Sequence, residues 1–151
     1  IKILCVGKIK EKFFTEGICE YQKRIEGYSK FSIVEVKEVN TSDIFKNIFE
    51  EGKNLLSKIS EDEFVVTLEI QGKMIDSVDL AKLIEEKFTY GYSKITFVIG
   101  GSNGLSIDVI KRSNYHLSFS DFTFPHQLMR LILSEQIYRA LTIINNKEYH
   151  K

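Results

Sequence analysis

The chain has no tryptophan, a single proline, two cysteines and no net charge, its 21 Lys and Arg being balanced by 21 Asp and Glu over 151 residues. Each shortage excludes something. Cys5 and Cys19 form no CxxC pair, so neither a disulfide framework nor a cysteine-built zinc site is expected. Both read as reduced, buried thiols of a cytoplasmic protein. One proline leaves no proline-rich hinge. Balanced charge argues against a broad nucleic-acid footprint, which shows as a basic excess. Only local clusters remain, Lys8, Lys10 and Lys12, then Lys23 and Arg24, and such clusters serve as solvated surface as readily as they touch RNA. No apolar run approaches the ~20 residues of a membrane-spanning helix. Ile1 to Val6 is too short an apolar stretch for a signal peptide. What is there is ordinary globular composition, 43% hydrophobic and 28% charged, enough for one domain over residues 1–151 with a substantial core.

The period of the apolar residues alternates between two and about 3.6. Ile1, Ile3, Leu4 and Val6 read as a strand ending at Gly7. Phe14, Ile18, Tyr21 and Ile25 follow at helical spacing, stopped at Gly27. Phe31–Val39 is β-rich. Ile44, Ile48, Leu55 and Ile59 mark a helix capped by Asp43 or Ser42, with Gly52 as a bend. Phe64–Ile70 reads as a strand and Gln71-Gly72-Lys73 as a turn. Val78, Ala81, Ile84 and Phe88 mark a helix opened by Asp76 or Ser77. Ile95–Ile99 is a strand buried on both faces. Ser106 caps a short helix, Leu117 and Phe119 form the last strand, and Pro125 opens a final helix with Leu128, Leu131, Ile132, Ile137 and Leu141 as its buried stripe. Five strands alternating with about five helices predict an α/β sandwich with a mostly parallel sheet.

Ligands of such sheets bind outside the C-terminal ends of the strands. Two segments are placed there. Gly100-Gly101-Ser102-Asn103-Gly104 allows close backbone approach, but it is neither a P-loop nor a GxGxxG fingerprint. It serves a ligand or is a plain strand-to-helix turn. Ser118–Pro125 sets hydroxyl side chains among phenylalanines, suited to a heterocycle or simply to a core strand entering a helix. His126 caps or packs as readily as it reacts. Arg130 and Arg139 lie nine apart on one helix, project to different sides and read as surface ion pairs rather than one clamp. The tail Tyr149-His150-Lys151 carries reactive groups on an end that, by position alone, is floppy. No Ser-His-Asp order, metal spacing or paired-carboxylate pattern stands out.

Taken together, Val98-Ile99-Gly100-Gly101-Ser102-Asn103-Gly104-Leu105, Leu117-Ser118-Phe119-Ser120 with Thr123-Phe124-Pro125-His126, Glu135-Gln136-Ile137-Tyr138-Arg139-Ala140 and Tyr149-His150-Lys151 resemble the RlmH family of small SPOUT-class RNA methyltransferases. Val6-Gly7-Lys8 and Thr67–Lys73 match as well, so the resemblance spans the chain. It implies an α/β sandwich with a C-terminal trefoil knot, a feature periodicity never suggests. It also implies a homodimer that uses S-adenosylmethionine to methylate N3 of a pseudouridine in the helix 69 loop of 23S ribosomal RNA in the assembled 70S ribosome, without metal or membrane. By resemblance, Leu68, Gly100, Gly101 and the loop Phe119, Ser120, Asp121, Phe122, Thr123 and Phe124 hold the cofactor. Arg139, Tyr149 and His150 lie at the target nucleotide, and His126 matches a position beside the cofactor loop. Asp121 is not typical of the family. A non-catalytic ribosome-associated module with the same fold and an enzyme for a phosphate-bearing nucleotide are the alternatives. The intact tail argues against the first, the missing P-loop lysine against the second.

Overall fold

A computed structural model describes residues 1–151. Its elements are β1 (Lys2–Val6), α1 (Lys12–Glu26), β2 (Ser32–Val36), α2 (Ile44–Leu56), β3 (Phe64–Met74), α3 (Ser77–Thr89), β4 (Ile95–Ile99), α4 (Ile107–Arg112), β5 (Tyr115–Ser118) and α5 (His126–Ile144). The five strands pair in parallel in the order β2-β1-β4-β3-β5. This is the mostly parallel α/β arrangement that the alternation of periods predicts.

Alternation along each strand divides the core in two. Ile3 and Cys5 of β1, Phe64 and Val66 of β3, and Ile95, Phe97 and Ile99 of β4 face α1, α3 and α5, meeting Ile25, Ile84, Leu133 and Ile137. Leu4, Val6, Val65 and Val98 point the other way, toward Leu55 of α2 and Val109 of α4. On that second face a polar cluster closes the N-terminal edge of the sheet. Lys2 and Glu63 pair at 3.0 Å, and the Thr96 hydroxyl donates to Glu63 at 2.6 Å. Burial pushes the Glu63 carboxyl up, but hydrogen bonds from Thr96 and Lys2 outweigh it and hold the group below the usual range.

Helix starts follow local chemistry. Asp43, Asp76 and Ser106 each accept the backbone N–H three residues on, at 3.2, 2.8 and 3.3 Å, settling the choices left open at 42–43 and 76–77. Gly27 ends α1 as expected, but in right-handed geometry. α2 runs unbroken through Gly52. A Cβ there would lie 2.2 Å from the Ser106 hydroxyl, so the glycine lets α2 lie directly on the start of α4.

Several further expectations are corrected. Gln71-Gly72-Lys73 is no turn. β3 pairs Leu68 with Leu117, bulges away, and returns to pair Lys73 with Leu117. A Cβ on Gly72 would sit 2.6 Å from the Leu117 carbonyl carbon, so only glycine lets the two backbones come this close. The bulge re-aims residues 69–71. In α5 the fully buried stripe is Met129, Leu133, Ile137, Ala140 and Leu141, while Leu128, Leu131 and Ile132 are half-buried. Cys19 is exposed, whereas burial pushes the Cys5 thiol up to about 12 and leaves it inert. Arg130 is no surface residue. It is 2% exposed, pairs with Glu35 at 2.8 Å and donates to the carbonyl of Gly7 at 3.2 Å.

Candidate active site

At the C-terminal ends of β3, β4 and β5 the chain leaves a cleft of about 1020 Å³. Three backbone segments wall it. The first is the β3 bulge, Leu68–Gln71, where Glu69 is fixed by the Thr67 hydroxyl at 2.6 Å and by contact with the His116 ring. The second is the loop after β4. Gly101 and Gly104 form a bridge, with the Gly104 N–H on the Gly101 carbonyl at 3.1 Å and Gly104 at φ +86°. A Cβ on Gly100 would meet the Gly104 carbonyl oxygen at 2.8 Å, so this hairpin-like turn requires glycine there. The third is the loop after β5. The Ser118 hydroxyl donates to the Ser120 carbonyl at 3.2 Å, and the Ser120 hydroxyl accepts the Phe122 N–H at 3.1 Å. These local bonds open the 119–124 backbone toward the cleft instead of continuing the strand. His126 and Met129, from the first turn of α5, complete the wall.

Of the residues expected to hold a cofactor, Leu68, Gly100, Gly101, Phe119, Ser120, Phe122, Thr123 and Phe124 all line this cleft. Asp121 does not; it is exposed on the outer side of the same loop. No Lys or Arg lines the cleft; Glu69 and His126 are its titratable side chains. Apolar walls with scattered backbone polar groups suit a flat heterocycle and a short chain. The absence of Lys and Arg disfavours a phosphate-bearing ligand.

The three tail residues gather elsewhere. The last turn of α5 closes as a Schellman motif: Asn146 takes φ +53°, its N–H bonds the Ile143 carbonyl at 3.1 Å, and the Lys147 N–H bonds the Thr142 carbonyl at 2.9 Å. The chain is thereby turned back along its own helix, so the tail is not floppy. The Tyr149 ring packs edge-on against Tyr138 at 4.7 Å, with the Arg139 guanidinium 4.7 Å from its centroid. Glu135 holds the group together, accepting from Arg139 Nε at 3.0 Å and from the Tyr149 hydroxyl at 3.0 Å. Burial, then hydrogen bonds to Tyr21 and Glu135, push the Tyr149 phenol above the usual tyrosine range, so it stays protonated. Arg139 also donates to His150 Nδ1 at 3.3 Å. A guanidinium only donates, so Nδ1 is the acceptor here and a neutral ring carries its proton on Nε2.

Glu135 is the residue that sequence reasoning quoted but gave no role. Its i, i+4 spacing to Arg139 was the available signal. The structure brings Arg139, Tyr149 and His150 together but does not bring them to the cleft of the same chain. Arg139 lies ten residues beyond Met129, the last residue of α5 to line the cleft, which at 1.5 Å per residue is roughly 15 Å.

A parallel α/β fold with a glycine-lined cleft at the strand C-termini places a ligand site where such sheets carry one. Comparison with known proteins gives the chain its family. The family model described as "Predicted SPOUT methyltransferase" matches residues 1–150. The chain is 52% identical, over 157 aligned positions, to the "Ribosomal RNA large subunit methyltransferase H" of Limosilactobacillus fermentum, covering 100% of this chain and 99% of the relative. The protein of the same name from Limosilactobacillus reuteri matches at 52% identity with the same coverage. Among solved structures, a probable methylase family protein from Haemophilus influenzae superposes with a TM-score of 0.55 at 17% identity, over 99% of this chain and 70% of that one, a likeness of fold. The chain belongs to the SPOUT methyltransferase family, in its RlmH branch.

Proposed function

We propose that this methyltransferase is a single-domain, cytoplasmic enzyme that takes its methyl group from S-adenosylmethionine. Its target is N3 of a pseudouridine in the helix 69 loop of 23S ribosomal RNA, in the assembled 70S ribosome. The observation that carries the reading is the cleft, which gathers eight of the residues expected to hold the donor and bears no Lys or Arg. The names of relatives matched along the whole chain support the ribosomal RNA substrate.

The residues present fit the donor. Leu68, Phe119 and Phe124 offer apolar cover, and the backbone of Phe119, Ser120 and Phe122–Phe124 offers N–H and C=O groups to a purine edge. Gly100 and Gly101 let the aminoacyl chain lie against the backbone. The donor, when bound, supplies an electrophilic sulfonium methyl. The protein's part is alignment, a source of roughly 7–11 kcal/mol of barrier lowering.

Arg139, Tyr149 and His150 act on the target. Because Arg139 lies roughly 15 Å along α5 beyond the edge of its own cleft, and none of the three groups lines that cleft, they serve the cleft of a second protomer, and the working unit is a homodimer. The half-buried Leu128, Leu131 and Ile132 of α5 supply apolar surface for that contact. Arg139 turns from His150 to the nucleotide, holding a phosphate or the developing imide anion. That move frees the Nδ1 lone pair of His150, which takes the N3 proton, a step worth about 10²–10⁴-fold. Tyr149, still protonated, donates a hydrogen bond and supports the Arg139 fork. The neutral net charge leaves RNA contact to local clusters and to the shape of the ribosome, so isolated RNA binds weakly and loses affinity with salt. Measuring labelled methyl transfer to ribosomes by the wild type and by His150→Ala tests the scheme. The variant is expected to bind the donor normally and transfer at least 10²-fold more slowly. An unchanged rate would remove the base role.

A further inference from the structure

Behind the glycine loop lies a carboxyl group that none of the roles above uses. Glu51 of α2 is 4% exposed. One oxygen accepts the Val39 N–H at 2.9 Å. The other, Oε2, has no partner. A Cβ placed on Gly101 would lie 3.0 Å from Oε2 and 3.4 Å from Oε1, so the carboxyl is seated directly against the Cα of a residue that lines the cleft. The next residue, Gly52, rests against Ser106 at the far end of the same loop. The dipeptide Glu51-Gly52 therefore braces both ends of the glycine loop, and its charged member is separated from the cleft by one glycine backbone.

Leaving an oxygen of a buried carboxyl unpaired is costly, and burial accordingly raises the Glu51 carboxyl above its ordinary range. The Val39 hydrogen bond counters this, Glu38 adds to it and His126 offsets part of it. A cation held in the cleft would offset more, acting across the one intervening glycine backbone rather than through bulk water. Neither Lys nor Arg lines the cleft to do so.

We propose that Glu51 is a specificity-determining residue of the donor cleft, its buried carboxylate favouring a positively charged methyl donor over the neutral product left after transfer. The proposal rests on the S-adenosylmethionine reading above. Once the methyl is gone the sulfur is a neutral thioether, so the attraction is present before transfer and absent after it. Glu51 thereby helps to release the product.

Calorimetric titration of the whole protein with three probes tests this: S-adenosylmethionine, sinefungin (which keeps a positive charge near the reacting centre) and S-adenosylhomocysteine. Glu51→Gln keeps the shape and an acceptor for Val39. It is expected to weaken the two cationic probes by about tenfold relative to S-adenosylhomocysteine, an effective distance of roughly 10 Å through the protein giving that order. Equal weakening of all three, the mark of a purely structural brace, would overturn the proposal, as would no weakening at all. Glu51→Asp keeps the charge and should keep the wild-type ratio of affinities; losing it would also count against the proposal, whether or not Glu51→Gln folds. Wild-type protein that binds none of the probes would overturn the donor reading itself, an outcome distinct from the others.

Discussion

Gly52→Ala is expected to destabilise the protein, although the same change in an ordinary helix interior stabilises it by about 1 kcal/mol. The reason is the packing of α2 on the cap of α4. The new methyl would lie 2.2 Å from the Ser106 hydroxyl and 2.8 Å from its Cβ. The helices separate or the serine turns away. Overpacking of this kind costs about 1–3 kcal/mol. If Ser106 rotates, its bond to the Val109 N–H at 3.3 Å is lost, a further cost of about 1 kcal/mol. Set against the helix-propensity gain, the net loss is about 1–3 kcal/mol, or roughly 2–12 °C in Tm for a chain of this size. Urea denaturation of wild type, Gly52→Ala and Gly52→Ala with Ser106→Gly measures it. The double variant removes the obstructing side chain and should recover most of the loss despite lacking the cap. A Gly52→Ala protein more stable than wild type would refute the packing argument. So would a double variant no better than the single one.

Three other outcomes follow from named contacts. Lys2→Met leaves buried Glu63 only the half-exposed Lys94 at 3.7 Å as a cation and should cost about 2–4 kcal/mol, somewhat less than an uncompensated buried charge, whereas Lys2→Met with Glu63→Gln should recover much of it in the same denaturation assay. Because the folded-state pKa of Glu63 lies below its ordinary value, the pair's contribution is present above the unfolded carboxylate pKa of about 4.3 and is lost as pH falls through the folded value; acid unfolding of the double variant should show less of this loss. Asn146→Ala should cost about 1 kcal/mol and Asn146→Gly nothing, since the residue sits at φ +53°; methyl transfer should fall with Asn146→Ala because the tail loses its turn. Finally, Gly100→Val, defective in the cleft, and His150→Ala, defective in the tail, should each be inactive as pure proteins, yet mixed dimers should regain part of the activity. No recovery from dimers shown to exchange subunits would place both sets of groups on one chain.

The sheet was legible because its signal is local. The continuous apolar run Ile95–Ile99 and the helical spacing in Phe14–Ile25 survive into the fold as a doubly buried strand and a helix. Where the reading failed, the cause was tertiary. Gly72 looks like a turn residue, and only the approach of β5 shows that it sits inside a strand pairing. The α5 stripe was misplaced because Arg130 and Ser134 occupy buried positions that a hydrophobic pattern assigns to solvent. The terminal guanidinium nitrogens of Arg130 find partners distant in sequence, and Ser134 bonds the helix's own backbone. Of the candidate site, the residues expected to hold a cofactor came through resemblance, and the structure adds that all of them but Asp121 line one cleft. The roles of Glu135 and Glu51 were not legible, since each depends on contacts that form only once helices have packed.

The most direct test of the central claim is transfer of labelled methyl from S-adenosylmethionine to ribosomes from a strain lacking this modification, with assembled ribosomes, free large subunits and naked RNA compared side by side. The account predicts label at the helix 69 pseudouridine, greatest with assembled ribosomes. Absence of label from all three, or label at another site, would contradict it.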